Sequence, residues 1–193
     1  MVAITVGAWD KWYAKVQKPL KMGHMITYRE AIAFLDQPGF SIEDWGGGTG
    51  FARQMVQHAS YKVVDGSQNL IAESLIVDDL TSRRCQVDCI MIRHVLEHNE
   101  NWQTILSNAL ASFTKRMALV TFTPFAPGVE TILSHKGRTA AWSERQLPLL
   151  VIEQLLRASG VEWDMRLFGN PQPRLTEHVF RIAKDNSLHS NAS

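Results

Sequence analysis

Residues 41–50 read Ser-Ile-Glu-Asp-Trp-Gly-Gly-Gly-Thr-Gly, which places four of the chain's twelve glycines within five positions. Ser41 to Trp45 is predicted to form a short strand, and apolar residues recur at helical spacing from Phe51 to Ala59. Glycines between a strand and a helix leave the main chain bare, so a ligand can approach it closely. The following helix offers amides without intrahelical partners. This stretch therefore predicts a ligand-binding loop after the first strand of an α/β sheet.

The rest of the chain alternates between predicted strands and helices. Apolar residues predict strands at residues 61–64 and 75–77, and continuous apolar runs predict buried strands at 89–92 and 117–121. Helices are predicted from a capping box at residues 27–30, from the amphipathic stretch 102–113, and from Pro148 in the first helical position. Residues 161–167 alternate in polarity, and 178–183 can return as their antiparallel partner. The pattern predicts an α/β protein whose mostly parallel sheet is finished by an antiparallel C-terminal hairpin.

Composition narrows the class of protein. The 193 residues are 45% apolar and 20% charged with a net charge of +1, which is typical of a globular protein and argues against a strongly basic nucleic-acid clamp. The two cysteines imply no disulfide framework and favour a reducing compartment. No apolar run is long enough for a transmembrane helix, and charged residues interrupt the N-terminal apolar stretch before a signal-peptide core is complete. We therefore expect a cytoplasmic protein without membrane association.

The spacing of the glycines distinguishes between ligand classes. The dinucleotide pattern G-x-G-x-x-G fails, because its sixth position is Phe51 when counted from Gly46 and Arg53 when counted from Gly48. A phosphate-binding loop also fails, since no Gly-Lys-Ser/Thr follows. What fits is D-x-G-x-G-x-G, at Asp44, Gly46, Gly48 and Gly50. This spacing resembles motif I of the class I S-adenosylmethionine-dependent methyltransferases.

The resemblance covers roughly residues 27–184. In that family an acidic residue ends the second strand and binds the ribose hydroxyls, and Asp65 stands there, nineteen positions after Gly46. A further acidic residue after the third strand lies near the adenine, and Asp78-Asp79-Leu80 is similar. The block His94-Val95-Leu96-Glu97-His98, preceded by Arg93, looks like the ubiquinone/menaquinone-type and related small-molecule branch. The resemblance thus implies a Rossmann-like, seven-stranded fold with helices on both faces and S-adenosyl-L-methionine as cofactor.

The resemblance assigns residues of this chain to two roles, and the sequence predicts no metal site. Cofactor binding is expected from Asp44, Trp45, Gly46, Gly47, Gly48, Gly50, Asp65, Gly66, Ser67, Asp78, Asp79, Leu80, Arg93 and His94. If the methyl acceptor must lose a proton, His94 and His135 are the candidate catalytic bases. The spacing of Cys85, Cys89, His94 and His98 is far from that of a zinc finger.

Two segments are expected to enclose the acceptor. These are the aromatic N-terminal lid, residues 1–26, and the stretch from Pro124 to Trp142. Both belong to one predicted methyltransferase-like domain over residues 1–184, followed by a flexible polar tail over 185–193. The implied reaction is methyl transfer to an O, N or C nucleophile of a small molecule.

Other functions remain compatible with the same pattern. The chain could be a catalytically silent module that uses the fold for binding or interaction. It could also be an RNA-directed methyltransferase, although the near-zero net charge disfavours a nucleic-acid partner.

Overall fold

A computed structural model describes residues 6–16, 19–21, 23–136, 141–169, 176–184 and 188. Two helices, α1 (Val6–Tyr13) and α2 (Met25–Leu35), precede the first strand. The central part contains strands β1 (Ser41–Trp45), β2 (Ser60–Asp65), β3 (Leu75–Val77) and β4 (Val87–Arg93), then helix α3 (Trp102–Ser112) and strand β5 (Phe113–Thr121). The last part consists of β6 (Thr131–Lys136), β7 (Ala141–Gln146), α4 (Leu149–Ala158), β8 (Glu162–Gly169) and β9 (Thr176–Ala183).

Seven of the strands form one sheet in the order β3-β2-β1-β4-β5-β9-β8. The first five are mutually parallel, whereas β9 runs antiparallel to both β5 and β8. The predicted mostly parallel sheet with an antiparallel C-terminal hairpin is therefore confirmed. Strand order reverses between β1 and β4, because the chain first builds outward to β3 and then returns to the other side of β1. Ligands bind at such a switch point in open α/β sheets.

Both faces of the sheet are buried at its centre, along β4, as the continuous apolar run 89–92 predicts. Along β4, Ile90 and Ile92 pack into the core beneath α3 and α4, while Cys89 and Met91 pack into the core beneath α2. Successive side chains of a strand point to opposite faces, so an uninterrupted apolar run suits a strand covered on both sides. This burial on both faces holds β4 in place in the sheet, and thereby positions Arg93 at its carboxyl end.

The segment after the glycine loop differs from the prediction. Instead of a helix through Ala59, the chain forms a five-residue 3-10 helix, Phe51–Met55, and then becomes extended at Val56. The physical reason is that a side chain, and not the helix backbone, accepts the hydrogen bonds of the next three amides. The carboxylate of Asp36 accepts hydrogen bonds from the amides of residues 57, 58 and 59, at 2.8, 2.9 and 2.7 Å. These amides bond to a side chain, so a second helical turn does not form.

The predicted capping box at Thr27 is also wrong. Helix α2 begins at Met25 with His24 as its N-cap. The hydroxyl of Thr27 donates to the His24 carbonyl, at 2.9 Å, and to the carboxylate of Glu177, while Glu30 pairs with Arg166. The Thr27 hydroxyl, which the local pattern assigned to the helix terminus, thus donates to a distant carboxylate on β9 instead.

A β-hairpin, β6–β7, occupies the segment expected to cover the acceptor, and the sequence pattern did not predict these strands. Glu130 attaches its base to the body of the protein, accepting from the Trp102 indole at 2.7 Å and from Arg145 at 2.8 Å. Helix α4 then begins at Leu149 with Pro148 as its N-cap, one position later than predicted. No helix in the described part of the chain is long and apolar enough to cross a bilayer.

The core under α3 sets the stability of the sheet, and a matched pair of leucines tests this. Leu106 on α3 is fully buried, whereas Leu150 on α4 is 61% exposed. We expect Leu106→Ala to lower the free energy of unfolding by about 2–5 kcal/mol, because it removes buried methyl groups and leaves a cavity. Leu150→Ala should change it by less than about 0.5 kcal/mol. Urea unfolding of both variants measures the difference; equal effects would contradict the assigned core.

Candidate functional site

A cavity of about 1020 Å³ opens where strand order reverses. The glycine loop after β1, the ends of β2, β3 and β4, and residues of α1 and α2 form its wall. Further along, it is lined by the loop after β4, by Phe122 after β5, by Glu144 of β7 and by Glu177 of β9. Its volume suits a cofactor-sized molecule with room for a second small one.

The first three glycines of the loop have no space for side chains. Gly46 and Gly48 adopt left-handed backbone conformations, with φ of +71° and +53°. A Cβ atom on Gly46 would lie 2.4 Å from a methyl group of Val95, and one on Gly48 would lie 2.6 Å from the hydroxyl of Tyr13. Glycine therefore serves both the backbone conformation and the close packing around the loop.

Asp44, the second-last residue of β1, packs against this loop. Its carboxylate accepts a hydrogen bond from the Tyr61 hydroxyl, and a Cβ atom on Gly47 would come within 2.6 Å of it. Burial raises the pKa of Asp44 to about 7. The side chain is almost completely buried but lines the cavity, so it is a structural support within reach of a ligand.

Asp65, at the end of β2, faces the same loop. Its carboxylate accepts from the backbone amides of Gly48, at 3.2 Å, and Ser67, at 3.0 Å. Burial raises the pKa of Asp65, while these two amides act in the opposite direction. Each carboxylate oxygen keeps a second acceptor site, which is the arrangement needed to bind two neighbouring hydroxyl groups.

The acidic pair after β3 lines the cavity as well, but both side chains also bond within the protein. Asp79 accepts from the backbone amide and hydroxyl of Thr81, each at 2.8 Å. Asp78 accepts from Arg83 at 2.6 Å, and Arg83 in turn binds Glu43 of β1 at 2.8 Å. The arginine thereby fixes the loop after β3 against the first strand.

The N-terminal segment covers the side of the cavity nearest Asp65. Asp10 of α1 accepts from the hydroxyl of Ser67, and the Leu20 amide donates to Thr49 of the glycine loop at 2.8 Å. Tyr13 lines the cavity beside Gly48. Burial, followed by the charge of Asp65, raises the pKa of the Tyr13 hydroxyl, so it remains a neutral donor.

A buried ion pair forms the opposite wall. Arg93 donates to Glu177 at 3.0 and 3.2 Å and to the Thr27 hydroxyl at 3.3 Å, and its guanidinium lies 3.8 Å above the ring of Tyr28. Burial alone would raise the pKa of Glu177, but the hydrogen bond from His94 and the charge of Arg93 hold it at about 2. The carboxylate is therefore ionised at neutral pH.

His94 has a left-handed backbone, with φ of +56°, which is uncommon for a residue with a side chain. Its ring lies 4.7 Å from the Phe122 ring. Nδ1 is 3.3 Å from Arg93 and Nε2 is 3.3 Å from Glu177. Burial lowers the pKa of His94. Because both ring nitrogens face protein groups, a role as base requires the ring to leave one of them.

A second polar group lies beyond Phe122. Glu97 is completely buried and accepts from the Phe122 amide at 2.6 Å, and burial raises its pKa to about 7. The neighbouring His98 lines the cavity, and burial lowers its pKa to about 4. At neutral pH His98 is thus uncharged, whereas Glu97 is partly protonated. The charge of Glu144 acts to raise the pKa of both groups.

Most of the residues expected to bind the cofactor meet at this cavity. They are Asp44, Gly46, Gly47, Gly48, Asp65, Gly66, Ser67, Asp78, Asp79, Leu80, Arg93 and His94. Trp45 and Gly50 do not line it: the Trp45 ring is fully buried in the core under α3, and Gly50 packs against Val63. His135 falls within β6, and its side chain lies outside the described residues, as do residues 185–187 and 189–193 of the predicted tail.

Four further residues line the cavity that the sequence pattern does not predict, namely Tyr28, Phe122, Glu144 and Glu177. No motif marks these positions, and each reaches the cavity only through tertiary packing. For Glu177 the missing information was the register of β9 against β5, which pairs His178 with Thr121. In the described residues, no three His, Cys, Asp or Glu side chains are grouped so that they could hold a metal ion.

No family model and no curated protein matches the chain by sequence. Solved structures match closely in three dimensions. The fold is that of the class I methyltransferases. Magnesium protoporphyrin IX methyltransferase from Synechocystis PCC 6803, solved with S-adenosylhomocysteine, has a TM-score of 0.66 at 16% identity, covering 94% of this chain and 96% of its own.

Two further methyltransferases have the same architecture. The 1,6-didemethyltoxoflavin N1-methyltransferase of Burkholderia thailandensis has a TM-score of 0.61 at 16% identity, over 89% of this chain and 94% of its own. A Leishmania major S-adenosylmethionine-dependent methyltransferase has a TM-score of 0.64 at 11% identity, over 92% and 82%. At these identities the likeness establishes the fold, and the ubiquinone/menaquinone branch stays a prediction.

Glu97 makes the stability of the fold depend on pH. Its carboxyl group is protonated in the folded state up to about pH 7 but only up to about pH 4.5 when unfolded. Unfolding therefore releases a proton between these values, and rising pH destabilises the fold there. Glu97→Gln keeps an acceptor for the Phe122 amide but has no proton to lose. As the pH rises through this window, the free energy of unfolding of the variant should increase relative to that of the parent, by up to about 3 kcal/mol. Urea unfolding at pH 4.5, 6 and 8 measures this; a pH-independent difference would contradict it.

Proposed function

We propose that the chain is an S-adenosyl-L-methionine-dependent methyltransferase acting on a small-molecule acceptor. The observation that carries the proposal is the bare glycine loop at the switch point, bonded through the Gly48 amide to the carboxylate of Asp65. The residues present fit the cofactor. The Cβ positions of Gly46 and Gly48 are blocked, the main chain is accessible from the cavity, and Asp65 offers acceptors for two ribose hydroxyls.

Within this proposal Gly46, Gly47 and Gly48 hold the methionine part through close main-chain approach, and Asp44 keeps their conformation. Asp65 binds the ribose, helped by Gly66 and Ser67. Asp78, Asp79 and Leu80 line the adenine side. When bound, S-adenosylmethionine supplies a methyl group already activated by its sulfonium. The protein's task is then mainly to orient the reactants in a dry cavity, which can supply about 7–11 kcal/mol of the barrier.

The acceptor is proposed to bind on the far side of the cavity, between Phe122, His98 and Glu144. Its small size follows from the volume left beside a bound cofactor in a cavity of about 1020 Å³. Phe122 offers an apolar ring face, and the histidine and glutamate offer hydrogen bonds. This lining suits an O, N or C nucleophile on a small molecule, including an aromatic or quinone-like one, as the resemblance to the ubiquinone/menaquinone branch implies.

Donor binding gives the first test. Asp65→Asn should weaken the affinity for S-adenosylhomocysteine about 10- to 100-fold, because a hydrogen bond to a charged group contributes about 1.5–3 kcal/mol. Asp88→Asn is the matched control, since Asp88 lies at the other end of β4 and binds Ser41 instead. Isothermal titration calorimetry measures both. If the parent protein does not bind S-adenosylhomocysteine at millimolar concentration, the proposed function is refuted.

The proposed bases give the second test. If the acceptor must be deprotonated, His94→Asn and His135→Asn should each lower turnover about 10²- to 10⁴-fold while donor affinity is kept. His58→Asn on the exposed segment before β2 is the control and should leave turnover unchanged. Turnover is followed as S-adenosylhomocysteine production with a panel of candidate acceptors. Full activity in both variants would remove the two histidines as bases.

A further inference from the structure

One edge of the sheet, strand β8 (Glu162–Gly169), is long and regular. It is hydrogen-bonded to β9 on one side, and among the described residues no other strand pairs with it. Its eight residues contain no proline, and its register against β9 runs without a bulge. Proteins normally shorten, bend or cover such edges, because the outward amides and carbonyls can pair with another strand. The opposite edge follows this rule, since β3 has only three residues.

Apolar side chains form a row along one face of β8. Trp163 packs against the core beneath α3 and α4. Alternate residues of a strand share a face, so Met165 and Leu167 lie on the same side of the sheet as Trp163. These two side chains remain 42% and 62% exposed. The row therefore continues from the core out to the solvent-exposed rim of the sheet, as it does at surfaces that bind another protein.

The other face of β8 carries two opposite charges. Asp164 forms an ion pair with Arg181, its neighbour in register on β9, and Arg166 forms one with Glu30 of α2 at 2.9 Å. Both side chains of β8 nevertheless remain partly exposed. Opposite charges two residues apart on an edge strand can each face the other one in an antiparallel copy of the same strand. The sequence of β8 is thus complementary to itself.

One register of a self-paired β8 sets unlike charges opposite each other and opposes no like ones. In an antiparallel pair with two-fold symmetry, directly opposite residues share a face, so the axis passes at a residue. With the axis at Met165, each Asp164 faces the Arg166 of the other copy. Each Trp163 then faces the other Leu167. An axis at Asp164 would oppose two carboxylates and one at Arg166 two guanidinium groups, and like charges in this position are destabilising.

We propose that the chain forms a homodimer in which β8 pairs with β8 of a second copy around an axis at Met165. The main chains supply hydrogen bonds across the joined sheet, and the side chains fix the register. On one face the two apolar rows meet. On the other, each Asp164 lies between Arg181 of its own chain and Arg166 of the other copy. The axis reverses the strand direction, so the two cavities open at opposite ends of the joined sheet. The inference does not depend on the proposed function.

The oligomeric state of the full chain gives the first test. Analytical ultracentrifugation over about 1–100 μM protein should show a species with twice the mass of one chain. Met165→Lys should raise the dimer dissociation constant at least about 100-fold, because two lysines meet at the axis and opposed like charges cost several kcal/mol. Val129→Lys is the matched control: Val129 is 82% exposed on the segment before β6, and its replacement should leave the dimer unchanged.

An exchange of charges tests the register. Asp164→Arg alone brings two positive charges opposite each other in the dimer, and Arg166→Asp alone brings two negative charges opposite each other, so each variant should be monomeric. An equimolar mixture should dimerise again, because each arginine of the first variant then faces an aspartate of the second. A merely structural role of the two residues would give no such rescue. Circular dichroism shows whether each variant is folded.

Three outcomes would overturn the proposal. The first is a parent protein that stays monomeric over the whole concentration range. The second is a dimer that Met165→Lys leaves intact, since its interface must then lie elsewhere. The third is a mixture of folded Asp164→Arg and Arg166→Asp that stays monomeric, which would refute the register. If either charge variant fails to fold, the parent protein and Met165→Lys decide the question alone.

Discussion

The site depends on one steric constraint, which is that the main chain must pass without side chains at Gly46, Gly47 and Gly48, directly after β1. Val95 blocks the Cβ position of Gly46 from the β4 side, Asp44 blocks that of Gly47 from below, and Tyr13 blocks that of Gly48 from the N-terminal segment. These three neighbours come from different elements, so the loop is the point at which β1, β4 and α1 are fitted together. An added methyl group would therefore disturb several contacts as well as the cavity they enclose.

A second consequence of this packing is electrostatic. Because the loop is enclosed, the carboxyl groups beside it are removed from water, and burial raises the pKa values of Asp44 and Asp65. Glu177 is the exception, since Arg93 and His94 keep it ionised despite its burial. The cavity wall thus combines the ion pair of Arg93 and Glu177 with carboxyl groups whose pKa values are raised by burial. Perturbed groups of this kind concentrate where ligands and catalysis are found.

The fold could be predicted from the sequence to a large extent because its determinants are local. The apolar runs that became β2, β3, β4 and β5, the glycine spacing and the alternation at residues 161–167 each depend on nearby residues only. The errors have the opposite cause. At residues 57–59 and at Thr27 a distant carboxylate, Asp36 or Glu177, replaces the local hydrogen bond on which the prediction rested. Local patterns contain no information about such acceptors.

The same distinction between local and distant determinants explains which residues of the site could be predicted from the sequence. Residues on the loops after β1 and β2 were predictable because a strand end followed by glycine or aspartate fixes both position and chemistry. The wall made by Tyr28, Phe122 and Glu177 was not, because it depends on how α2 and β9 pack against β4 and β5. β9 inserts antiparallel between β5 and β8, and this topology alone brings Glu177 to the end of β4. The antiparallel hairpin thereby supplies the counter-ion for the one cation among the described lining residues.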